Sequence, residues 1–260
     1  NENPIYDVGL ALSGGGARGF AHIGVLKVLK ENNIPIDYIA GCSMGALVGG
    51  IYASWCDLDL LQNLAVVFDQ KKYFDFALSS KGYVRGNKIQ DLVKLMTKNI
   101  DINQTKIPFS CIATCIEDCE LVRFVQGPIH EAVRASISIP GVFLPHVIDG
   151  KSYIDGCVID RTAIDAAKQM GSDVVISVDV SFKGGAMNTP KGVISVLQSA
   201  FSISDWYLAQ KNLKKADVLI YPEIDDIDGM KYKDTEIIIR RGIEAAQQAL
   251  PKIKELIGMS

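Results

Sequence analysis

Short apolar runs alternate along this chain with longer segments in which apolar residues recur every three or four positions. The short runs predict β-strands at 7–13, 36–40, 109–115, 121–125, 173–180 and 218–220. The periodic segments predict α-helices at about 20–33, 46–53, 57–70, 87–99, 128–136, 160–170, 191–215 and 234–250. Alternating strands and helices are typical of a mostly parallel sheet covered on both faces. The pattern therefore predicts a three-layer α/β/α fold.

The size and charge of the chain limit its organisation and its partners. A chain of 260 residues fits one large α/β domain over 1–260, and no repeat or linker divides it. A net charge of −3 gives no reason to expect nucleic acid as a partner. No apolar run approaches the ~18 residues of a membrane span, so any membrane contact is expected to be peripheral.

The first residue and the cysteines bear on the compartment. The chain begins with Asn1 rather than Met, so whether a segment precedes it in the native protein stays open. The six cysteines lie mostly in apolar or motif segments rather than in a loop-rich disulfide framework. This distribution favours a reducing compartment and predicts a cytoplasmic protein.

Two segments resemble metal sites in part. Cys111, Cys115 and Cys119 share a four-residue spacing, but they follow a strand pattern with no histidine nearby, which indicates buried thiols. The acidic run at 223–229 fails as a calcium loop, because aligning its glycine with that of an EF-hand places isoleucine at the first ligand position. No metal is therefore expected.

The pentapeptide Gly41-Cys42-Ser43-Met44-Gly45 lies between a predicted strand and a predicted helix. G-x-S-x-G in that context is a nucleophile elbow, a sharp turn that presents the serine hydroxyl. Side chains at the two glycine positions would collide with the strand and the helix. The hydroxyl would lie at a helix N-terminus, where the dipole favours developing negative charge. Ser43 is therefore the candidate nucleophile.

A glycine-rich turn, Gly14-Gly15-Gly16-Ala17-Arg18-Gly19, follows the first strand. Its spacing also fits a dinucleotide site, but such a site needs an acidic residue at the end of the second strand, where this chain has Cys42-Ser43. A phosphate-binding P-loop needs a Gly-Lys-Ser/Thr sequence that does not follow here. Turn and elbow lie at the same edge of the sheet, so N–H groups of the turn are expected to face Ser43 and stabilise an oxyanion.

The residues alone leave the general base open. Of the three histidines, His22, His130 and His146, only the last two could complete a triad in the order serine, acid, histidine. No turn with a suitable acid stands out before them. Asp155 follows a strand-like segment and is a second candidate, although the Asp-Gly sequence it begins is most often only a turn.

Four motifs in a fixed order make the chain resemble the patatin-like phospholipases, most closely the compact bacterial members. The motifs are the glycine-rich turn, the elbow, Ala135-Ser136-Ile137-Ser138-Ile139-Pro140-Gly141-Val142-Phe143-Leu144-Pro145 and Asp155-Gly156. The resemblance spans roughly 8–179, and four ordered motifs together are highly specific. It implies a patatin-like acyl hydrolase domain that cleaves acyl esters of phospholipids, lysophospholipids or related lipids without calcium or another cofactor.

The resemblance also implies roles for individual residues. Ser43 would be the nucleophile and Asp155 the base of a Ser-Asp dyad that needs no histidine. The oxyanion hole would be formed by Gly14, Gly15 and Gly16, with the N–H of Met44 as a further donor. Arg18 would support this hole from the same turn.

Three positions depart from the pattern of the family. Cys157 stands where glycine or alanine is usual, Arg161-Thr162-Ala163 replaces an Asn-x-Pro sequence, and Cys42 replaces a common threonine. None of these changes removes a dyad atom. The larger side chain at 157 and the charge at 161 are expected to reshape the acyl pocket or the hydrogen bonds of the dyad, and so to affect substrate choice.

Alternatives remain for one segment and for the chain as a whole. Residues 70–86 mix aromatic and basic side chains, which fits either an irregular connection with a small core of its own or a lid that faces lipid. For the whole chain, a second hypothesis is a lipid- or partner-binding module that uses the acyl cavity without turnover. Nucleotide binding at 14–19 is a third hypothesis, and it predicts thermal stabilisation by NAD or ATP.

Overall fold

The computed structural model describes residues 6–55, 57–76, 83–187 and 189–259, which form an eight-stranded sheet between two layers of helices. The strands are β1 (Val8–Leu12), β2 (Tyr38–Cys42), β3 (Phe109–Cys115), β4 (Glu120–Phe124), β5 (His146–Ile148), β6 (Lys151–Asp155), β7 (Val174–Val178) and β8 (Val218–Ile220). The α-helices are α1 (Ala21–Glu31), α2 (Met44–Trp55), α3 (Leu58–Val67), α4 (Gln70–Tyr73), α5 (Asn87–Met96), α6 (Ile129–Ser136), α7 (Ile164–Gln169), α8 (Val193–Leu213) and α9 (Thr235–Leu256).

The sheet is mixed but mostly parallel, as predicted. Its strand order is β5-β6-β3-β2-β1-β7-β8, and β4 pairs with β3. The strands β3, β2, β1, β7 and β8 pair in parallel, whereas β4, β5 and β6 contribute antiparallel pairs. The parallel pairing of β1 and β2 brings their carboxyl ends, and the turns that follow them, to the same edge of the sheet.

The two faces of the sheet contribute to different cores. In β1, Leu10 and Leu12 face the core formed with α1, α2 and α9, whereas Ala11 faces the core formed with α7 and α8. Alternate side chains of a strand point to opposite faces, so one strand supplies both cores. This arrangement confirms the three-layer α/β/α class.

The register of β3 explains how the carboxyl end of β2 and the carboxyl end of β6 come together. Cys42 of β2 pairs with Ile112 of β3, and Asp155 of β6 pairs with the next residue, Ala113. Both Ile112 and Ala113 also pair with β4, which occupies the other edge of β3. The strands β2 and β6 therefore share one edge of β3 and meet end to end. The end of β6 thus lies beside the turn that carries Ser43.

Two helix ends differ from the predicted ones by more than the others do. α7 begins at Ile164 rather than at about Asp160, because the Asp160 carboxylate accepts hydrogen bonds from the N–H and the hydroxyl of Thr162, at 2.9 and 2.7 Å, and forms a turn there. α9 continues through Pro251 to Leu256 rather than ending at 250. Its last turns are held because Ile253 is buried in the core, which offsets the hydrogen bond that proline removes.

The prediction of buried thiols is confirmed for two of the three cysteines around the β3–β4 hairpin. Cys111 and Cys115 are buried in β3. Cys119 is exposed, so the prediction is wrong for this residue. It lies in the tight turn before β4 with a φ of +57°, and such a turn directs its side chain to solvent.

The aromatic and basic segment that follows α3 contains both a buried aromatic residue, as the small-core interpretation predicts, and exposed aromatic residues, as a lid would have. Phe74 is buried and packs edge-on against Phe143, with ring centroids 5.3 Å apart, which is the small core of the first interpretation. Phe76 and Tyr83 are exposed. Residues 77–82 lie outside the described residues, and the lid stays a prediction. No helix in the described part of the chain combines the length and the apolar character needed to cross a bilayer.

Candidate active site

Ser43 occupies the sharp turn between β2 and α2, with a φ of +52° in the left-handed region that non-glycine residues rarely adopt. The turn is tight because α2 begins immediately, at Met44, and packs against the end of β1. A Cβ at Gly45 would lie 2.1 Å from the Leu12 carbonyl oxygen, so only glycine permits this approach. A Cβ at Gly41 would lie 2.5 Å from the Gly45 carbonyl oxygen, so the predicted collisions occur with the helix α2 at Gly41 and with the neighbouring strand β1 at Gly45. Such strain is typical of functional sites.

Asp155 accepts a hydrogen bond from the hydroxyl of Ser43. The Ser43 Oγ lies 2.6 Å from Asp155 Oδ2, and both side chains are buried. The other carboxylate oxygen, Oδ1, accepts the Cys157 N–H at 2.9 Å. Burial raises the pKa of Asp155, and the hydrogen bonds from Ser43 and Cys157 oppose this rise. A carboxylate with a raised pKa, in contact with a hydroxyl, can take its proton.

The backbone of the elbow is held by a serine to which the sequence assigned no role. The Ser43 N–H donates to Ser136 Oγ at 2.8 Å, and the Ser136 hydroxyl donates to the Ile112 carbonyl at 2.6 Å. Ser136 ends α6, so it ties the elbow to both α6 and β3. The motif 135–145 includes this residue, and its position there is the signal that the sequence offered.

A buried arginine holds the loop that supports Asp155. Arg134 Nη1 donates to Ser138 Oγ at 2.6 Å, and its Nη2 donates to the Leu144 carbonyl at 2.9 Å. The Ser138 carbonyl in turn accepts the Asp155 N–H at 2.9 Å. Burial lowers the pKa of Arg134 to about 10, which still leaves it charged at neutral pH. The guanidinium therefore fixes the proline-bounded loop against the end of β6.

The glycine-rich turn passes directly beside the elbow. A Cβ at Gly14 would lie 3.2 Å from the Cβ of Ser43. The Gly14 N–H donates to the Arg161 carbonyl at 3.1 Å and is therefore engaged within the protein. Among the described residues, no acceptor is found for the N–H groups of Gly15 and Gly16. These two groups, and the N–H of Met44 in the first turn of α2, are free to face a ligand.

Arg18 belongs to the same turn but is bonded elsewhere. Its Nε donates to the Ile227 carbonyl at 2.7 Å, which ties the turn to the loop before α9. Burial lowers the pKa of Arg18, and nearby carboxylates, above all Asp225, oppose this effect. No described hydrogen bond joins Arg18 to Ser43 or Asp155.

The three histidines also bond to groups outside the elbow. His22 Nε2 lies 2.8 Å from the Ser13 carbonyl oxygen, and burial lowers the pKa of His22 to about 4. His146 Nε2 lies 2.5 Å from Glu131 Oε2, and His130 pairs with a glutamine of α5. In the described part of the chain no histidine is therefore positioned as the base of a Ser-His-Asp triad.

Arg161 joins two buried carboxylates next to the glycine-rich turn. Its Nη2 lies 2.8 Å from Asp179 Oδ2, and its Nη1 lies 2.9 Å from Asp205 Oδ2. Burial disfavours the charge of Arg161, but the two carboxylates more than offset it and keep the pKa of Arg161 above its ordinary value. Burial raises the pKa of Asp205 to about 7 despite the nearby Arg161. The sequence identified Arg161 but neither partner, because both lie far from it along the chain.

Two cavities meet at Ser43. The first is lined by apolar side chains of α1, α2, α3 and α5, among them Ile51 and Leu61. The second is lined partly by polar side chains, including Arg18 and Asp205. The site can therefore hold an apolar chain on one side of Ser43 and a polar group on the other.

A cluster of side chains with metal-ligand atoms includes one member of the proposed dyad. Cys42, Asp155 and Cys157 place three such atoms within 4.8 Å of one another, and the two sulfur atoms are 3.6 Å apart. Burial raises the pKa of Cys42 to about 12, and the contact with Cys42 raises that of Cys157. Metal ions bind thiolates rather than thiols, and Asp155 is already engaged by Ser43. The donor set therefore fits packed neutral thiols better than a metal.

Comparisons with known proteins indicate the family of the chain. A family model described as patatin-like phospholipase matches residues 10–168. An uncharacterized NTE family protein of Mycobacterium tuberculosis is 39% identical over 177 residues, which cover 67% of this chain and 49% of that protein. The lysophospholipase NTE1 of Coccidioides immitis is 36% identical over 193 residues, which cover 71% of this chain and 12% of that protein. The chain thus spans about half of the mycobacterial relative and a small part of the fungal one.

Two solved structures share the fold. VipD from Legionella pneumophila superposes with a TM-score of 0.66 at 15% sequence identity, over 95% of this chain and 67% of that chain. The type III effector protein ExoU superposes with a TM-score of 0.56 at 13% identity, over 96% of this chain and 54% of that chain. At such low identity the likeness concerns the arrangement of strands and helices alone.

Proposed function

The chain belongs to the patatin-like phospholipase family, and from this premise we propose that it is a serine acyl hydrolase that cleaves fatty-acyl esters of phospholipids or lysophospholipids. The observation that carries the proposal is the buried 2.6 Å contact between Ser43 Oγ and Asp155 Oδ2, where an apolar and a polar cavity meet. The fungal relatives are named lysophospholipases, which supports a lipid ester as the substrate. We assign this activity to one patatin-like acyl hydrolase domain over 1–260.

In the first half of the proposed reaction, Ser43 forms an ester with the acyl group. Ser43 Oγ attacks the ester carbonyl carbon while its proton passes to Asp155 Oδ2. The tetrahedral intermediate then expels the alcohol of the lipid, which takes the proton from Asp155. In the second half, Asp155 takes a proton from water, the resulting hydroxide attacks the acyl-enzyme, and Ser43 leaves with that proton as a free fatty acid is released.

The developing oxyanion is assigned to backbone N–H groups of Gly15, Gly16 and Met44. Gly14 was expected to contribute as well, but its N–H is used by the Arg161 carbonyl, and its role in the proposal is the close packing that brings the turn over Ser43. The N-terminus of α2 adds a favourable dipole at the same place. One such donor is typically worth ~2.7–4 kcal/mol of transition-state stabilisation.

The two cavities suggest how the substrate lies. The apolar cavity suits the fatty-acyl chain, since burial of each CH₂ group contributes about 0.8 kcal/mol. The polar cavity suits the leaving group, because it carries Arg18 and Asp205 and opens at the same serine. Arg18 supports this side by holding the glycine-rich turn against the loop at Ile227.

Covalent labelling tests the proposal. A fluorophosphonate probe is expected to add one adduct to the wild-type chain, detected by intact mass, and none to Ser43→Ala. Ser152→Ala, which removes a serine of β6 away from the turn, is the matched control and should label like the wild type. Thermal unfolding of all three chains verifies that they are folded. A folded wild-type chain that never labels would favour the lipid- or partner-binding module.

A further inference from the structure

The helix α8 shows an unusual distribution of polar and apolar side chains. Of its 21 residues only Asp205, Ala209 and Leu213 are buried. The opposite face carries large apolar side chains with high exposed fractions: Val193 77%, Val196 50%, Leu197 63%, Ile203 44%, Tyr207 72% and Leu208 52%. They recur at spacings of three, four and seven residues, which places them along one side of the helix, and we call this row the α8 stripe.

An outward face of this composition is uncommon for a helix on the surface of a protein. Surface helices usually carry charged residues on that side, as α9 does with the exposed pair of Arg240 and Glu244. Between Val193 and Gln210, the only acidic or basic side chain of α8 is Asp205, which is buried and paired with Arg161. The α8 stripe therefore needs a partner that covers apolar side chains.

The position of α8 connects this stripe with the site. Gln198, Phe201, Ser202 and Asp205 of its inner face line the polar cavity that contains Ser43. The helix is anchored there by the Arg161–Asp205 ion pair. Whatever covers the outer face therefore lies at the wall of the cavity in which the leaving group is proposed to sit.

Charges at the ends of α8 indicate the character of the partner. Lys191 precedes the helix, and Lys211 and Lys214 follow the stripe at its carboxyl end; all three are exposed. Tyr207 lies one turn before these lysines, where an amphipathic ring would meet the boundary between apolar and polar surroundings. An apolar stripe flanked by lysines complements an anionic lipid surface.

The size of the stripe argues against a second copy of this chain. From Val193 to Leu208 it is about 22 Å long at ~1.5 Å per residue and one helix, about 10 Å, wide. A stable interface buries ~800 Å² of accessible surface per partner, which a stripe one helix wide reaches only if neighbouring surface joins it. A bilayer has no such requirement, since the helix can lie in the interface with its apolar face among the acyl chains.

We infer that the α8 stripe docks the protein on an anionic lipid bilayer and so places the mouth of the polar cavity at the level of the headgroups. The inference rests on the proposed function in one respect, namely the advantage that this orientation gives. In this orientation a lipid ester can reach Ser43 without leaving the membrane surface. The α8 stripe is a different surface from the lid predicted around Lys71 and Lys72, which lies in another part of the chain.

Vesicle sedimentation tests the inference. The chain carries Ser43→Ala so that lipid is not consumed, and the vesicles contain phosphatidylcholine mixed with phosphatidylglycerol. The double variant Leu197→Ser, Tyr207→Ser is expected to bind about tenfold more weakly or worse. Val147→Ser is the matched control, since it removes an equally exposed apolar side chain from the edge strand β5, and it should bind like its parent.

Charge reversals test the electrostatic part of the inference. Lys211→Glu with Lys214→Glu should weaken binding severalfold, with a smaller effect at high salt, because salt screens exposed charges. Lys71→Glu with Lys72→Glu should leave it nearly unchanged. Loss of binding in the latter variant, with full binding by the Leu197 and Tyr207 variant, would overturn the inference and assign membrane contact to the segment after α3.

Two further outcomes distinguish the inference from dimerisation and from the proposed function. Light scattering that shows a dimer of the parent chain and a monomer of the stripe variant, with no binding of the parent to vesicles, would replace the membrane by a second copy. A wild-type chain that binds vesicles through the stripe but hydrolyses no ester would leave the inference standing and refute the proposed function.

Discussion

Replacing Asp155 by asparagine tests the dyad while preserving its shape. In the structure, Oδ1 accepts the Cys157 N–H and Oδ2 accepts the Ser43 hydroxyl. If the amide oxygen keeps the bond from Cys157, the amide NH₂ faces Ser43 Oγ and becomes a donor. The serine hydroxyl then has no neighbour that can take its proton.

The expected loss follows from this geometry. A positioned general base usually contributes ~10²–10⁴-fold to the rate, which is ~2.7–5.5 kcal/mol of the barrier. The Asp155 contact is short and buried, and none of the histidines replaces it, so we expect a loss near 10⁴-fold in turnover. The assay is turnover of p-nitrophenyl butyrate by folded protein, with KM expected to change little.

The raised pKa of Asp155 adds two pH effects to the same experiment. The base must be ionised, so wild-type kcat/KM should fall on acidification, at a higher pH than for an ordinary carboxyl group. Because the native state binds this proton more tightly than the unfolded state does, the free energy of unfolding falls as pH rises from the ordinary value of 3.8 through the raised one. Asp155→Asn removes this ionisation and should resist urea better than wild type at neutral pH.

A histidine variant supplies the control. His146→Gln removes the imidazole that pairs with Glu131, and it should retain the chemical step. An Asp155→Asn chain with wild-type turnover, together with an inactive and folded His146→Gln chain, would refute the dyad and restore the triad. Equal stability of Asp155→Asn and wild type at every pH would refute the argument from burial.

Three further predictions concern the surroundings of the dyad. Gly45→Ala places a Cβ against the Leu12 carbonyl and should reduce the free energy of unfolding by about 3 kcal/mol or more. Urea unfolding measures this loss. A stability equal to that of the wild type would contradict the packing of the elbow. Arg161→Met leaves two buried carboxylates without their cation, so the free energy of unfolding should fall by ~3–5 kcal/mol at pH 8. The fall should be smaller at pH 6, where protonation of Asp205 removes one of the two charges. A fall that does not depend on pH would contradict this account. Ile51→Trp fills the apolar cavity about two turns along α2 from the elbow, and it should lower turnover of long-chain esters relative to short-chain ones; an unchanged ratio would place the acyl chain elsewhere.

Much of the fold could be predicted from local pattern. Helix and strand periods depend on which face of an element is buried, so the apolar spacing of β1, α1 and β7 was sufficient to place them. The turn at Ser43 was equally predictable, because its two glycines and its flanking elements are contiguous in the chain. The passage of α9 through Pro251 was missed, since it depends on the burial of Ile253 against distant residues.

The sequence by itself determined most of the elements, the three-layer class and, through four ordered motifs, the family and a pair of candidate residues. Only the tertiary structure decided that Asp155 reaches Ser43, because this requires β2 and β6 to share one edge of β3. The same holds for the partners of Arg161 and for the apolar stripe of α8. A periodic pattern shows that a helix has apolar residues, but which of them face the core depends on contacts between segments far apart in the chain.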